Sequence, residues 1–234
     1  MRMLILQVQP DAGPGYLGEW ARDRDIALDI VDVRAAERLP SPREYQAAAA
    51  LGADSSWATS NRSTWMTRQL DWLHDAEAAG VPVLGICFGA QALATLHGGE
   101  VHRLPRPEVG WLELSVTPAA DIPTGPWLSW HEDFIVLPPA AHELAHSSEA
   151  THIFEVGLGF GIQFHPEADT ATIRRWVDQY SGRDLGPSVR SPAELLAESI
   201  KQAKAAQARA YRLFDVFMRT FLLTQADDRT DGQG

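Results

Sequence analysis

Val83-Leu84-Gly85-Ile86-Cys87-Phe88-Gly89-Ala90-Gln91-Ala92-Leu93-Ala94 decides the fold. Residues 83–86 form a short apolar run that reads as a buried strand, and residues 90–94, rich in Ala and Leu, read as a helix. A Gly-x-Cys-x-Gly turn joins them. Glycine on both sides of the cysteine removes side chains where a strand and the helix it feeds must pass closely. The cysteine itself is then forced into a strained backbone conformation. At a helix N-terminus its thiolate is favoured by unpaired backbone N–H groups and the helix dipole. The same N–H groups can hold an oxyanion. A buried cysteine between glycines can also be merely small, so its surroundings have to decide.

Outward from this turn the chain alternates. Residues 4–8 form an apolar run that ends in the turn-rich Gln9-Pro10-Asp11-Ala12-Gly13-Pro14-Gly15. A helix is expected over 16–24, a strand over 28–33, and a short apolar strand over 47–51. Residues 64–79 have helical spacing with Trp65, Leu70, Trp72, Leu73 and Ala76 on one face, closed by Gly80. Strand and helix in alternation predict a three-layer, Rossmann-like α/β fold with a mostly parallel sheet. From 100 to 163 the pattern changes to short strand-like pieces with frequent Pro and Gly, which predicts a small antiparallel extension. Another helix is expected over 168–180. After a break at 183–190, Ser191 caps a helix opened by Pro192, with Glu194 completing a capping box. Residues 191–225 form a helical C-terminal appendage whose apolar residues include Leu195, Leu196, Ile200, Leu213, Phe214, Phe217 and Phe221. Residues 226–234 are polar and expected to be disordered.

The composition excludes several classes. The formal net charge of -11 over 234 residues opposes nucleic-acid binding, which needs a clustered basic surface. No apolar run is long enough to cross a bilayer, and the N-terminus reads as a first strand and not as a signal peptide. A single cysteine rules out an internal disulfide framework and fits a cytoplasmic location. No cofactor is implied.

A second stretch gives that cysteine a partner. Leu158-Gly159-Phe160-Gly161-Ile162-Gln163-Phe164-His165-Pro166-Glu167 is a strand ending in His-Pro-Glu. An imidazole serves a thiol as base, and later serves the leaving amine as acid. A carboxylate two residues on can orient that imidazole. By contrast, His142-Glu143-Leu144-Ala145-His146 satisfies the zinc-helix pattern H-E-x-x-H but has room for barely two helical turns, so no metal site is expected. Of the eight tryptophans, Trp57 and Trp111 are the expected pocket walls.

Gly85-Ile86-Cys87-Phe88-Gly89-Ala90-Gln91 together with Phe164-His165-Pro166-Glu167 resembles the class I glutamine amidotransferase family. The resemblance spans roughly residues 1–180, which sets a family-like domain at 1–182. Three lesser stretches join it. Leu51-Gly52-Ala53-Asp54 stands where the family has a Gly-Gly-Pro oxyanion loop. Glu108-Val109-Gly110-Trp111 is similar to its Glu-x-Gly segment, and Trp130-His131-Glu132-Asp133 to its His-Gly-Asp segment. The chain is most similar to free-standing members that resemble the glutaminase domain of GMP synthase. Ala53, Asp54 and Glu132 depart from the family pattern, and the last two place carboxylates near the pocket.

The resemblance implies a Cys87–His165–Glu167 triad that forms a γ-glutamyl thioester, with the N–H groups of Phe88 and Ala53 at the oxyanion. It also implies a pocket shaped by Gly52, Gln91, Glu108, Gly110, Trp111, His131 and Asp133. The substrate is then glutamine or another γ-glutamyl compound. The implied partner is a synthetase subunit in trans that takes up the ammonia, and the C-terminal helices offer a homodimer contact. A partner-free γ-glutamyl amide hydrolase and a non-enzymatic protein that keeps the fold remain open as alternatives.

Overall fold

The computed structural model describes residues 1–118, 120–179 and 191–223. The expected linker at 183–190 and the tail at 226–234 lie outside them. Five strands run parallel, β1 (Arg2–Gln7), β2 (Ala27–Asp32), β3 (Ala47–Ala50), β4 (Val83–Ile86) and, later in the chain, β10 (Gly159–Ile162). Three more extend one edge antiparallel, β6 (Ser115–Val116), β8 (His142–His146) and β9 (Thr151–Val156). The sheet order is β2-β1-β3-β4-β10-β9-β8-β6. A separate two-stranded sheet pairs β5 (Glu100–Leu112) with β7 (Trp127–Val136).

Alternation along the strands splits the core into two faces. Met3 and Ile5 look to one side, where α1 (Gly15–Arg22) and the C-terminal helix α5 (Pro192–Met218) pack. Leu4 and Leu6 look to the other, against α2 (Thr64–Ala78) and α3 (Phe88–Leu96). A further helix, α4 (Thr170–Gln179), packs on α5. Phe214, Phe217 and Phe221 of the C-terminal segment share one cluster with Trp20 and Phe160. The apolar face of α5 is therefore covered by the chain's own sheet.

Three local expectations need correcting. The segment after residue 100 holds two long strands, β5 and β7, beside the short pieces β6, β8 and β10. Pro105 and Pro107 fall in the register shift between Arg103 and Glu108, where the missing N–H groups cost no ladder bonds. On α5, Ile200 faces solvent while Ser199 is buried, because the Ser199 hydroxyl receives Trp111 Nε1 at 3.0 Å and donates to the Leu195 carbonyl at 2.7 Å. The helix over 168–180 begins at Thr170, after Asp169 Oδ1 accepts the Thr172 N–H at 2.7 Å. Ser191 caps the helix as expected, its hydroxyl accepting the Glu194 N–H, which is one of the two bonds of a capping box.

Candidate active site

The turn after β4 is as tight as its glycines require. A Cβ on Gly89 would lie 2.0 Å from the Ala50 carbonyl oxygen, and one on Gly85 would lie 2.7 Å from the Gly89 carbonyl. The four alanines of β3, all buried, let α3 approach this closely. Cys87 sits between strand and helix at φ 51°, ψ -106°, in the positive-φ region that side chains rarely adopt. Its N–H donates to the Ile162 carbonyl at 2.7 Å, and its carbonyl accepts the Gln91 N–H at 3.0 Å. The neighbouring Phe88 is pinned by Trp57, which stacks on its ring at 5.1 Å and donates from Nε1 to its carbonyl.

His165 follows β10 and is brought to Cys87 because β10 pairs with β4. Its Nδ1 donates to Glu167 Oε1 at 2.8 Å, its backbone N–H donates to the Leu128 carbonyl, and its ring lies 4.7 Å from that of Trp176. Glu167 is held in turn by the start of α1. The Tyr16 N–H donates to its carbonyl at 2.8 Å, and Gly15, at φ +41°, leaves no room for a Cβ beside that oxygen. Burial alone would lower the His165 imidazole, but the charges of Glu167 and Cys87 raise it well above its ordinary value.

The loop carrying Gly52 and Ala53 closes over this pair. A Cβ on Gly52 would stand 2.9 Å from His165 Cε1 and 3.5 Å from Cys87 Cβ. Ala53 has no positive φ, so its Cβ is tolerated. Gly52→Ala should therefore displace the imidazole from Cys87 and slow alkylation of the Cys87 sulfur by about 10- to 100-fold, since a shift near 1 Å can cost that much. The rate of iodoacetamide labelling beside a thermal melt checks this; an unchanged rate in the variant would show that the ring moves aside without cost.

The cleft at Cys87 has two arms that share Gln9, Ala53, Asp54, Trp130 and Gln179. The larger, about 380 Å³, adds Gln91, Arg103, His131, Glu132 and Asp133, and the smaller, about 50 Å³, adds Ala12, His165 and Trp176. The two departing carboxylates carry counter-charges. Asp54 pairs with Arg34, which lies over Trp65, and Glu132 pairs with Arg103, whose Nε is also 3.3 Å from Asp133. Burial pushes the Asp133 carboxyl up, against the opposing influence of a hydrogen bond from Ser56 and the Arg103 charge.

The structure thus gathers Cys87, His165, Glu167, Phe88, Gly52, Ala53, Gln91, His131 and Asp133 around one cleft. Glu108, Gly110 and Trp111 lie elsewhere. Glu108 sits behind His131, opposite it across β5 and β7, and Trp111 reaches α5. Trp57 is under the turn, so the aromatic walls are Trp130 and Trp176 instead. Trp176, Arg103 and Arg34 were not anticipated as site residues, because only the folded chain brings them there. His142-Glu143-Leu144-Ala145-His146 forms β8, and the extended rise puts its histidines roughly 13 Å apart, too far to share one ion. Among the described residues, Glu108, His131 and His152 have ligand-type atoms within 4.8 Å of one another. These atoms engage each other: His131 Nε2 and His152 Nε2 both lie 2.8 Å from Glu108 Oε2.

Residues 60–175 match the family model "Glutamine amidotransferase class-I". The chain is 32% identical over 157 residues to a glutamine-hydrolyzing GMP synthase of Aeropyrum pernix, covering 61% of this chain and 30% of that protein. It is 41% identical over 96 residues to one subunit of the glutamine-hydrolyzing GMP synthase of Ignicoccus hospitalis, covering 37% and 50%. The matched segments thus span between 30% and 50% of the length of these curated relatives. In fold the chain is similar to a glutamine amidotransferase from Thermotoga maritima, with a TM-score of 0.83 at 23% identity, covering 94% of this chain and 97% of that one. No helix among the described residues is long and apolar enough to cross a membrane.

Proposed function

The chain belongs to the class I glutamine amidotransferase family, and from that premise we propose that it hydrolyses the γ-carboxamide of glutamine through Cys87, His165 and Glu167. The Cys87 sulfur attacks the amide carbon, and the N–H groups of Phe88 and Ala53 hold the oxyanion. His165, protonated, gives its proton to the departing nitrogen, so the C–N bond breaks as ammonia leaves and a γ-glutamyl thioester remains. His165 then takes a proton from water, which attacks the thioester and returns the thiol with glutamate. Glu167 keeps the imidazole aligned and offsets its charge. The observation that carries this reading is the meeting of a positive-φ cysteine at a helix N-terminus with a buried His–Glu pair joined at 2.8 Å. Ammonia passes to a separate synthetase, and the names of the GMP synthase relatives suggest that role.

A second reading, hydrolysis of N-substituted γ-glutamyl amides without a partner, is favoured by one feature. Beside His165, where a leaving amine emerges, the cleft is walled by Trp130 and Trp176 and edged by Asp54, more surface than ammonia needs. The test offers glutamine and N-alkyl γ-glutamyl amides in parallel, reads ammonia against free amine, and traps Cys87 with a diazoketone analogue of glutamine by intact mass. Ammonia as the faster product supports the first reading and amine the second. No turnover and no adduct would return the protein to a non-catalytic binding role.

A further inference from the structure

Gln163 lies two residues before His165, fully buried. Its Nε2 donates to Cys87 Sγ at 3.6 Å, and its Oε1 accepts from Gln91 Nε2 at 3.4 Å. The Gln163 backbone N–H donates to the His152 carbonyl at 2.8 Å, which fixes where the side chain starts. Gln91 stands on the first turn of α3, is itself buried, and lines the cleft. The three side chains therefore form a directed line, Gln91 to Gln163 to Cys87. Turning only the Gln163 amide over would set its NH2 against the NH2 of Gln91 and its carbonyl oxygen against the sulfur. With the sulfur anionic, both contacts are repulsive.

We propose that Gln163 is a catalytic residue, whose side-chain amide holds the Cys87 sulfur in its anionic form while Gln91 fixes the direction of that amide. This rests on the reading of Cys87 as the nucleophile. His165 and Gln163 then divide the work on the sulfur. The imidazole exchanges a proton with the reacting groups, whereas the amide is a neutral donor that stays in place. A buried hydrogen bond to a charged group is worth enough to move an ionisation by about one to two pH units. Substrate entering the larger arm meets Gln91, so occupancy can be felt at the sulfur through Gln163.

The chain has one cysteine, so alkylation by iodoacetamide reads Cys87 without background. In Gln163→Met, which keeps length and flexibility but loses the donor, the pH of half-maximal alkylation should rise by about one unit or more. In Gln163→Glu, which sets a carboxylate against the sulfur, it should rise further. Gln91→Met, which leaves the sulfur's own contacts intact, should shift it the same way by less. A purely structural role would lower the melting temperature and leave this midpoint alone. A midpoint within about 0.3 units of the unaltered protein in Gln163→Met overturns the proposal; if that variant does not fold, an unmoved midpoint in Gln91→Met does so. Absence of any diazoketone adduct on the unaltered protein fails the nucleophile reading instead, so the two failures are distinguishable.

Discussion

Cys87→Ala is expected to lower kcat for γ-carboxamide hydrolysis by roughly 10⁴- to 10⁶-fold, the range found when a nucleophile is removed from a triad that acts as a unit. The substitution deletes one sulfur atom from a buried position and leaves the backbone demand unchanged, since alanine and cysteine both carry a Cβ at φ 51°. Stability should therefore stay close to that of the unaltered protein, and a thermal melt separates lost chemistry from lost fold. The pocket arm carrying Gln91, Arg103 and Asp133 is untouched, so the variant should still bind the amide and melt at a higher temperature in its presence. Product release by the variant above about 1% of the unaltered rate would sink the assignment of Cys87 as nucleophile.

Why this residue was legible and others were not has a physical basis. The features at Cys87 are local: two glycines, a strand before and a helix after, all within twelve residues. His165 and Glu167 are also local, because two positions on one short loop suffice to join Nδ1 to Oε1. The parallel sheet was legible for a similar reason, as β1, β3 and β4 each carry a short apolar run. What sequence could not reveal depends on distant segments meeting. Arg34 neutralises Asp54 across twenty positions, and Arg103 meets Asp133 only because β5 and β7 pair in that register. Trp176 reaches His165 from α4. On α5 the helical period was read correctly but its phase failed at one turn. There a buried serine answers the indole N–H of Trp111, a requirement visible only from β5. Gln163 carried no signal at all, since a polar residue at a strand end is usually exposed.

Glu108→Gln is the substitution with the largest expected effect on stability, and its pH dependence has a definite sign. The carboxylate is buried and accepts from His152 Nε2 at 2.8 Å, from Ser147 at 2.7 Å and from Ser129 at 3.3 Å. His131 Nε2 also lies at 2.8 Å but outside hydrogen-bond alignment, while His131 Nδ1 donates to the Asp133 carbonyl. Burial alone would raise the Glu108 carboxyl, but the neighbouring His131 and His152 imidazoles hold it far below the ordinary carboxylate range. Glutamine has the same shape and no charge, and it turns an NH2 toward one of these donors. Losing the hydrogen bonds to a charged acceptor and facing a donor with an NH2 costs about 3 kcal/mol, or roughly 6–12 °C in Tm for a chain of this size. Because the folded value lies below the unfolded one, the carboxylate's contribution is complete above the unfolded value and is lost as the pH falls beneath it. The gap between the two proteins in urea unfolding should be full at pH 7 and shrink by about 1.4 kcal/mol per unit below about pH 4. A gap that stays constant into acid, or widens there, would place the stabilisation in packing and not in the charge. Since His131 borders the cleft and Glu108 lies behind it, the same variant should loosen the His131–Asp133 segment and raise KM more than it lowers kcat.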